Sequence, residues 1–268
     1  MDIRETITTL LRDGLILVFN QDKLDVIKTA QALLKAGVNN MEVTCRITEP
    51  LEKMNRLRKE LPDFVAGAAS LIDSSKMLAV YNKANPDDPL PTVQDVVDAG
   101  VSFLVSAANF SDETYKKFTG KLTIIPGCGT VTEIVSQFSK GANLCKAFPA
   151  KQLGGPAFVK AIDPAIHKTI SLVPTGGTNA DNIPDYIDAG VLVLGGSFSM
   201  IEKTAMKKII DEQDYDLLAE HLTTIKQLID KRRAEKWPNI DFTVASVEQV
   251  SQVTGRNFNL SSSATDIA

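Results

Sequence analysis

Residues 144–150 read Leu-Cys-Lys-Ala-Phe-Pro-Ala, the composition of a short buried strand that ends at a proline. Lys146 stands in the middle of this strand. Burying an ammonium group without a partner is unfavourable. The lysine therefore either lies on an edge strand and extends its amine to water, or belongs to a site that uses the amine. The rest of the chain bears on the choice between these alternatives.

Seven further runs of this kind alternate with segments of helical spacing. Residues 24–34 and 131–138 carry apolar residues at helical intervals, and each pattern stops at a glycine, Gly37 and Gly141 respectively. Strand and helix in repeated alternation predict parallel strands covered by helices on both faces. Eight such units predict a closed (β/α)8 barrel, a TIM barrel of the α/β class, with a doubly wound open sheet as the alternative. The eight runs are 14–20, 40–45, 63–70, 102–108, 121–127, 143–150, 171–177 and 191–197.

Three segments fall outside the repeat. Residues 2–12 carry apolar side chains on one helical face and predict an N-terminal helix that closes the bottom of the barrel. Residues 82–92 contain three prolines and predict an inserted loop. The pattern divides the chain into a barrel, residues 1–200, and a helical C-terminal extension, residues 201–268. Within the extension we expect one helix over 215–233, a strand and a short helix within 237–259, and a disordered tail over 261–268.

Composition excludes several functions. The net charge of −4 gives no basic field for a nucleic acid or a membrane surface, and the apolar runs are too short to span a bilayer. Three cysteines without metal-ligand spacing predict reduced thiols and a cytoplasmic location, supported by an N-terminus without a signal-peptide core. With only two histidines, a histidine-rich metal site and a Ser-His-Asp triad are not expected. We therefore expect no metal, no cofactor, no nucleic acid and no membrane partner.

Polar side chains collect at the ends of the predicted strands, where the active sites of such barrels lie. Glu42, Thr44 and Arg46 share one parity, so they project from the same face of their strand. An ion pair with a neighbouring strand, or a strand half exposed to water, would give the same pattern. Ser70 ends the third run, and Lys146 lies in the sixth.

Glycine pairs end the seventh and eighth runs, as Thr175-Gly176-Gly177 and Gly195-Gly196-Ser197. Glycines let backbone N–H groups approach an anion, and barrels often bind phosphate after strands 7 and 8. Either pair alone would also suit a plain turn. Together they predict a phosphate site.

These groups combine into one chemistry. Burial disfavours the charged form of a lysine, and a neutral amine attacks a ketone to form a Schiff base. Glu42 would relay protons, and Arg46 would hold a substrate carboxylate. The residues predict a class I aldolase for a phosphorylated keto acid, with no requirement for a metal.

Five motifs in order also carry a resemblance to a known family. They are MEVTCR at 41–46, PGCGTVTE at 126–133, CKAFPA at 145–150, PTGGTNADNI at 174–183 and LGGSFS at 194–199. With them, most of residues 10–200 resembles the 2-keto-3-deoxy-6-phosphogluconate (KDPG) aldolases, which overlap with the 4-hydroxy-2-oxoglutarate (KHG) aldolases. The resemblance implies homotrimers of (β/α)8 barrels.

The resemblance implies a role for each matching residue. Lys146 matches the Schiff-base lysine and Glu42 the general acid/base. Arg46 matches the arginine that grips the keto-acid carboxylate, helped by Ser70, with Thr44 on the same strand. Pro126 and Phe148 match residues that wall the pocket. The positions around the phosphate and the sugar hydroxyls are matched by Thr175, Gly176, Gly177, Gly196 and Ser197.

The implied reaction is cleavage of KDPG to pyruvate and glyceraldehyde 3-phosphate, with 4-hydroxy-2-oxoglutarate as a further substrate. The alternatives are an aldolase for the galactonate epimer, a phosphate-binding barrel that isomerises or epimerises, and a non-catalytic phosphosugar-binding barrel. Some positions depart from the family. Ala107 and Ala108 stand where it often has Pro-Gly, and Asn20 where many relatives carry arginine. The resemblance does not account for the insertion at 82–92 or for the extension.

Overall fold

The computed structural model of the chain describes residues 2–260. Its centre is a curled parallel sheet of six strands in the order β5-β4-β3-β2-β1-β8, accompanied by a two-stranded sheet, β6-β7. All pairings are parallel, as the strand–helix alternation predicts. The strands are β1 (Leu15–Phe19), β2 (Asn40–Thr44), β3 (Val65–Leu71), β4 (Phe103–Ser106), β5 (Thr123–Ile125), β6 (Gly127–Cys128), β7 (Lys146–Ala147) and β8 (Leu194–Ser197).

Helices follow the strands and cover the outside of the sheet. Apart from the first and the last helix, their apolar faces pack in one large core cluster with the outward side chains of the strands. They are α1 (Ile3–Asp13), α2 (Val26–Lys35), α3 (Pro50–Glu60), α4 (Ser75–Ala84), α5 (Val93–Asp98), α6 (Asp112–Phe118), α7 (Val131–Ser139), α8 (Pro156–Ala161), α9 (Pro164–His167), α10 (Ile183–Asp188), α11 (Lys203–Glu212), α12 (Tyr215–Lys236) and α13 (Val247–Thr254), with a 3-10 turn at Phe198–Met200. Among the residues described, no helix has the length and apolarity needed to cross a membrane.

The seventh predicted run, 171–177, forms no regular strand. Pro174 has no N–H to donate, and Gly176 and Gly177 adopt φ angles of +92° and +89°, which no ladder accommodates. The segment nevertheless connects β7 to β8. The Ala147 N–H donates to the Val173 carbonyl at 3.1 Å, and the Gly195 N–H donates to the Pro174 carbonyl at 2.9 Å.

A second set of hydrogen bonds joins the two sheets on the other side of β7. The Asn143 N–H donates to the Ile124 carbonyl at 3.0 Å, and the Lys146 N–H donates to the Pro126 carbonyl at 2.8 Å. The predicted run 121–127 is thus divided between β5 and β6, and the run 143–150 keeps only two residues in a regular ladder.

The predicted N-terminal helix is confirmed as α1, which starts with a capping box between Asp2 and Glu5. Its buried residues Ile7 and Leu10 join the inward side chains of the strands in a second core cluster. Val247 and Val250 of α13 belong to the same cluster. Residues from both chain ends therefore complete the core inside the sheet.

Three helices, α11, α12 and α13, lie between residue 200 and residue 260. The helix expected over 215–233 is α12, which packs against α2 and α10, and the expected short helix is α13. The strand expected within 237–259 is wrong for the described residues, where Asn257 makes only an isolated bridge to Ile170. The tail predicted at 261–268 lies outside the described residues. The division of the chain at residue 200 stays a prediction.

Arg233 of α12 ties the extension to the start of the chain. Its side chain is 0% exposed, and its guanidinium donates to the carbonyls of Leu11 and Arg12 at the end of α1. The guanidinium carbon lies 3.5 Å from the centre of the Phe242 ring. Burial lowers the pKa of Arg233 to about 9. A cation that satisfies terminal carbonyls of α1 fits the electrostatics of a helix end.

Candidate active site

Lys146, the first residue of β7, and Glu42, the middle residue of β2, meet inside the curled sheet. The Lys146 Nζ lies 3.3 Å from the Glu42 Oε1, and the two side chains are 7% and 4% exposed. The register places Glu42 beside Val18 of β1 and Gly67 of β3. A lysine buried to this degree does not extend to water from a sheet edge, so the edge-strand alternative for Lys146 is wrong.

Burial determines the electrostatics of this pair. It raises the pKa of the Glu42 carboxyl, and the adjacent Lys146 opposes that rise. The Phe148 ring centre lies 5.3 Å from the Lys146 Nζ. The amine thus sits between one carboxylate and an aromatic face, and water has little access to it.

The pair opens into a cavity of about 690 Å³. This volume is within the range of about 300–1,000 Å³ that small-molecule sites usually have. Nine of the predicted site residues line the cavity. They are Glu42, Arg46, Ser70, Lys146, Phe148, Thr175, Gly176, Gly177 and Ser197.

Arg46 and Ser70 form the polar edge of the cavity near the ends of β2 and β3. The Arg46 Nε donates to the Ser70 Oγ at 3.0 Å, and the guanidinium remains exposed. Ser70 has a φ of +60°, which is uncommon for a residue with a side chain. This conformation places the hydroxyl beside Arg46, where both groups can donate to a carboxylate.

The glycine loop after residue 175 forms another edge. Gly176 and Gly177 both have left-handed backbone, and a Cβ on Gly177 would lie 2.6 Å from the Lys151 Cβ. The Asn182 Nδ2 donates to the Gly177 carbonyl at 2.8 Å and fixes the loop. Across from the loop, the hydroxyls of Ser197 and Ser199 lie 2.9 Å apart. The edge offers hydroxyls and backbone to an anion.

Three predicted site residues, Thr44, Pro126 and Gly196, are not among the residues that line the cavity. The Thr44 Oγ1 donates to the Phe19 carbonyl at 3.2 Å, so its hydroxyl supports the sheet. A Cβ on Gly196 would collide with the Met200 side chain, so close packing explains this glycine. Pro126 is buried and accepts the Lys146 N–H, which helps to hold the strand of the lysine. The geometry gives no support for substrate contacts by these three.

The cavity also contains residues that the sequence prediction missed. Asn20 follows β1, so the strand-end rule that selected Glu42 should have included it. Asn109 lies in the loop after β4, and Thr178 lies in the loop after the run 171–177. Met77, Tyr81 and Leu90 come from α4 and the insertion, and no motif marks them. Within residues 2–260, no group of three or more His, Cys, Asp or Glu side chains could hold a metal ion.

Comparisons with known proteins match the chain to one family. The family model of KDPG and KHG aldolase matches residues 7–87 and 90–220. A 2-dehydro-3-deoxy-phosphogluconate aldolase of Pseudomonas aeruginosa is 28% identical over 212 residues, which cover 78% of this chain and 86% of that protein. The KHG/KDPG aldolase of Escherichia coli K12 is 29% identical over 171 residues, covering 63% and 72% respectively.

The same class of protein is found among solved structures. The KDPG aldolase of Legionella pneumophila, crystallised with pyruvate captured at low pH as a covalent carbinolamine intermediate, superposes with a TM-score of 0.64. It is 25% identical, and the match covers 81% of this chain and 96% of that one.

Proposed function

The chain belongs to the KDPG and KHG aldolase family, and we propose that this aldolase cleaves KDPG to pyruvate and glyceraldehyde 3-phosphate through a Schiff base on Lys146. It is a carbon–carbon lyase of class I, and it also cleaves 4-hydroxy-2-oxoglutarate to pyruvate and glyoxylate. The observation that carries the proposal is the buried contact between the Lys146 Nζ and the Glu42 Oε1 at 3.3 Å. A pure binding site would have no need for a lysine desolvated beside a carboxylate.

The contact supports one proton relay for every step. Lys146 passes a proton to Glu42, its neutral amine then attacks the C2 ketone, and water leaves with a proton from the Glu42 carboxyl. Glu42 then takes the proton of the C4 hydroxyl, and the C3–C4 bond breaks. The electron pair of the C3–C4 bond moves into the imine and forms an enamine while the aldehyde leaves. Protonation at C3 and hydrolysis release pyruvate and free the lysine.

The ends of the substrate are held on the polar edges of the cavity. Arg46 and Ser70 bind the carboxylate, since a guanidinium and a hydroxyl 3.0 Å apart offer donors to both oxygens. The phosphate of KDPG binds where Gly176, Gly177 and Ser197 leave backbone and hydroxyl groups accessible, with Thr175 beside them. Phe148 walls the space between the two ends.

Three further features belong to the proposal. With β5 and β6 counted as one strand, the strands and the segment 171–175 close into an eight-stranded (β/α)8 barrel, supported by the hydrogen bonds on both sides of β7. The protein forms homotrimers, as the resemblance to its family implies. It works in the cytoplasm, in agreement with three buried free cysteines.

A substrate comparison tests the proposal. Release of pyruvate from KDPG, from its galactonate epimer and from 4-hydroxy-2-oxoglutarate is followed by coupling to lactate dehydrogenase. We expect the largest kcat/KM for KDPG, and no release by Lys146→Met. Lys160→Met, which removes an exposed lysine of α8, serves as the matched control. Conversion of a phosphosugar without pyruvate release would favour an isomerase and overturn the proposal.

A further inference from the structure

The insertion and α4 add a surface to the active-site cavity that the proposed Schiff-base chemistry does not use. This surface is also separate from the phosphate edge, the part of the cavity formed by Gly176, Gly177 and Ser197. Ile72, Met77, Tyr81 and Leu90 line the cavity beyond the end of β3, and we call these four residues the apolar wall. The wall faces the same space as Lys146 and Glu42. Ala107 and Ala108, after β4, leave room beside it because their side chains are small.

The apolar wall is a fixed part of the fold. The Ser74 Oγ caps α4 by accepting from the Met77 N–H at 3.3 Å. The Asn82 side chain accepts from the Leu90 N–H at 2.9 Å and donates to the Leu90 carbonyl at 3.0 Å. This pair of bonds turns the inserted segment back and buries Leu90. Met77 remains 59% exposed, so its apolar surface would gain from being covered by a ligand.

Position and charge separate the apolar wall from the phosphate edge. In the sheet order, β1 and β2 lie between β3 and β8, so the wall and the Gly176–Ser197 side occupy different parts of the mouth. Asp73 is the one charged residue between positions 72 and 90 that lines the cavity. It accepts from the Ser111 N–H at 2.6 Å and from the Thr114 Oγ1 at 2.9 Å. A carboxylate there disfavours an anion, so the wall suits an uncharged apolar group.

We infer that the apolar wall is a second subsite for the aldehyde half of the substrate. It binds the apolar or aromatic part of an aldehyde in place of a phosphorylated chain. The inference rests on the proposed function, because it uses the same lysine, carboxylate and carboxylate-binding arginine. With a phenyl group on the wall, 4-hydroxy-2-oxo-4-phenylbutanoate forms the imine on Lys146 and loses water. Glu42 takes the C4 hydroxyl proton, the C3–C4 bond breaks, and benzaldehyde leaves. Protonation of the enamine and uptake of water then release pyruvate.

The test compares kcat/KM for this phenyl compound and for KDPG in three proteins, by coupled detection of pyruvate. The proteins are the parent, Met77→Ser and Val80→Ser. Val80 lies on the same helix and is 64% exposed, but it is not among the cavity residues, so the two substitutions match in chemistry and exposure. A lost apolar contact in a pocket usually changes discrimination by roughly tenfold to a hundredfold.

We expect the parent to cleave both compounds. Met77→Ser should lower kcat/KM for the phenyl compound relative to KDPG by about tenfold or more, and Val80→Ser should leave that ratio unchanged. Tyr81→Ala is a second variant with the same expected direction. Cleavage of KDPG without cleavage of the phenyl compound would overturn the subsite and leave the proposed function intact, as would an equal ratio in all variants. Failure to cleave either compound would overturn both.

Discussion

The strength of the contact between Lys146 and Glu42 can be calculated and measured. Two opposite unit charges at 3.3 Å interact by about 5 kcal/mol when the effective dielectric constant is about 20. Removing one partner of a buried ion pair usually destabilises a protein by about 3–5 kcal/mol, because the other charge is left unpaired. We therefore expect a coupling free energy of about 3–5 kcal/mol between the two side chains.

A double-mutant cycle measures this coupling. Glu42→Gln, Lys146→Met and the double variant are compared with the parent by urea unfolding at pH 7. The stability losses of the two single variants should add up to more than the loss of the double variant, because only the single variants leave an unpaired charge. Additivity to within about 0.5 kcal/mol would refute the ion pair. In that case the lysine and the carboxyl would both be neutral in the resting site.

The raised pKa of the Glu42 carboxyl sets the sign of a pH effect on the same cycle. Burial disfavours the charged Glu42 carboxyl by more than its attraction to Lys146 restores, so the folded state binds this proton more readily than the unfolded state, whose carboxyl titrates near 4.5. The contribution of Glu42 to stability is therefore fully present below pH 4.5 and is lost as the pH rises through the raised value. The stability of the parent relative to Glu42→Gln should decrease across this window. An opposite trend would contradict the burial argument.

Three further substitutions test other parts of the structure. Gly177→Ala puts a Cβ against Lys151 at a φ of +89°, so KM for KDPG should rise about tenfold or more in steady-state assays while labelling by pyruvate persists. Arg233→Met should lower the free energy of unfolding in urea by about 3–5 kcal/mol, because it removes two charged hydrogen-bond donors from the end of α1. A loss below about 1 kcal/mol would mean that these bonds do not hold α12 to α1. Thr44→Val removes one hydrogen bond, so about 1 kcal/mol of stability should be lost with kcat/KM unchanged; a large fall in kcat/KM would restore Thr44 to the substrate site.

The sequence predicted the part of the site that follows from strand order. Parallel strands bring their carboxyl ends to one edge, so Glu42, Ser70 and Lys146 could be grouped although they are far apart in sequence. The seventh run was harder to predict. Its composition resembles that of a strand, but Pro174 and the left-handed Gly176 and Gly177 interrupt the ladder.

Other features depended on contacts that no local pattern records. Arg233 donates to the carbonyls of Leu11 and Arg12, which lie more than two hundred residues away in sequence. An arginine in a charged helix would be predicted to lie on the surface. Leu90 lies in a proline-rich segment that predicts a loop, and only the folded position of that loop brings it to the cavity. Thr44 projects from the same face of β2 as Glu42, but its hydroxyl donates a hydrogen bond to the backbone carbonyl of Phe19.

Trapping the Schiff base tests the central claim most directly. The protein is incubated with pyruvate and sodium borohydride, and the adduct is located by intact mass and peptide mapping. The proposed mechanism predicts one reduced pyruvyl group per chain, on Lys146, and no adduct on Lys146→Met. A protein that remains unmodified under these conditions, or an adduct that persists in Lys146→Met, would contradict the claim that this lysine performs the chemistry.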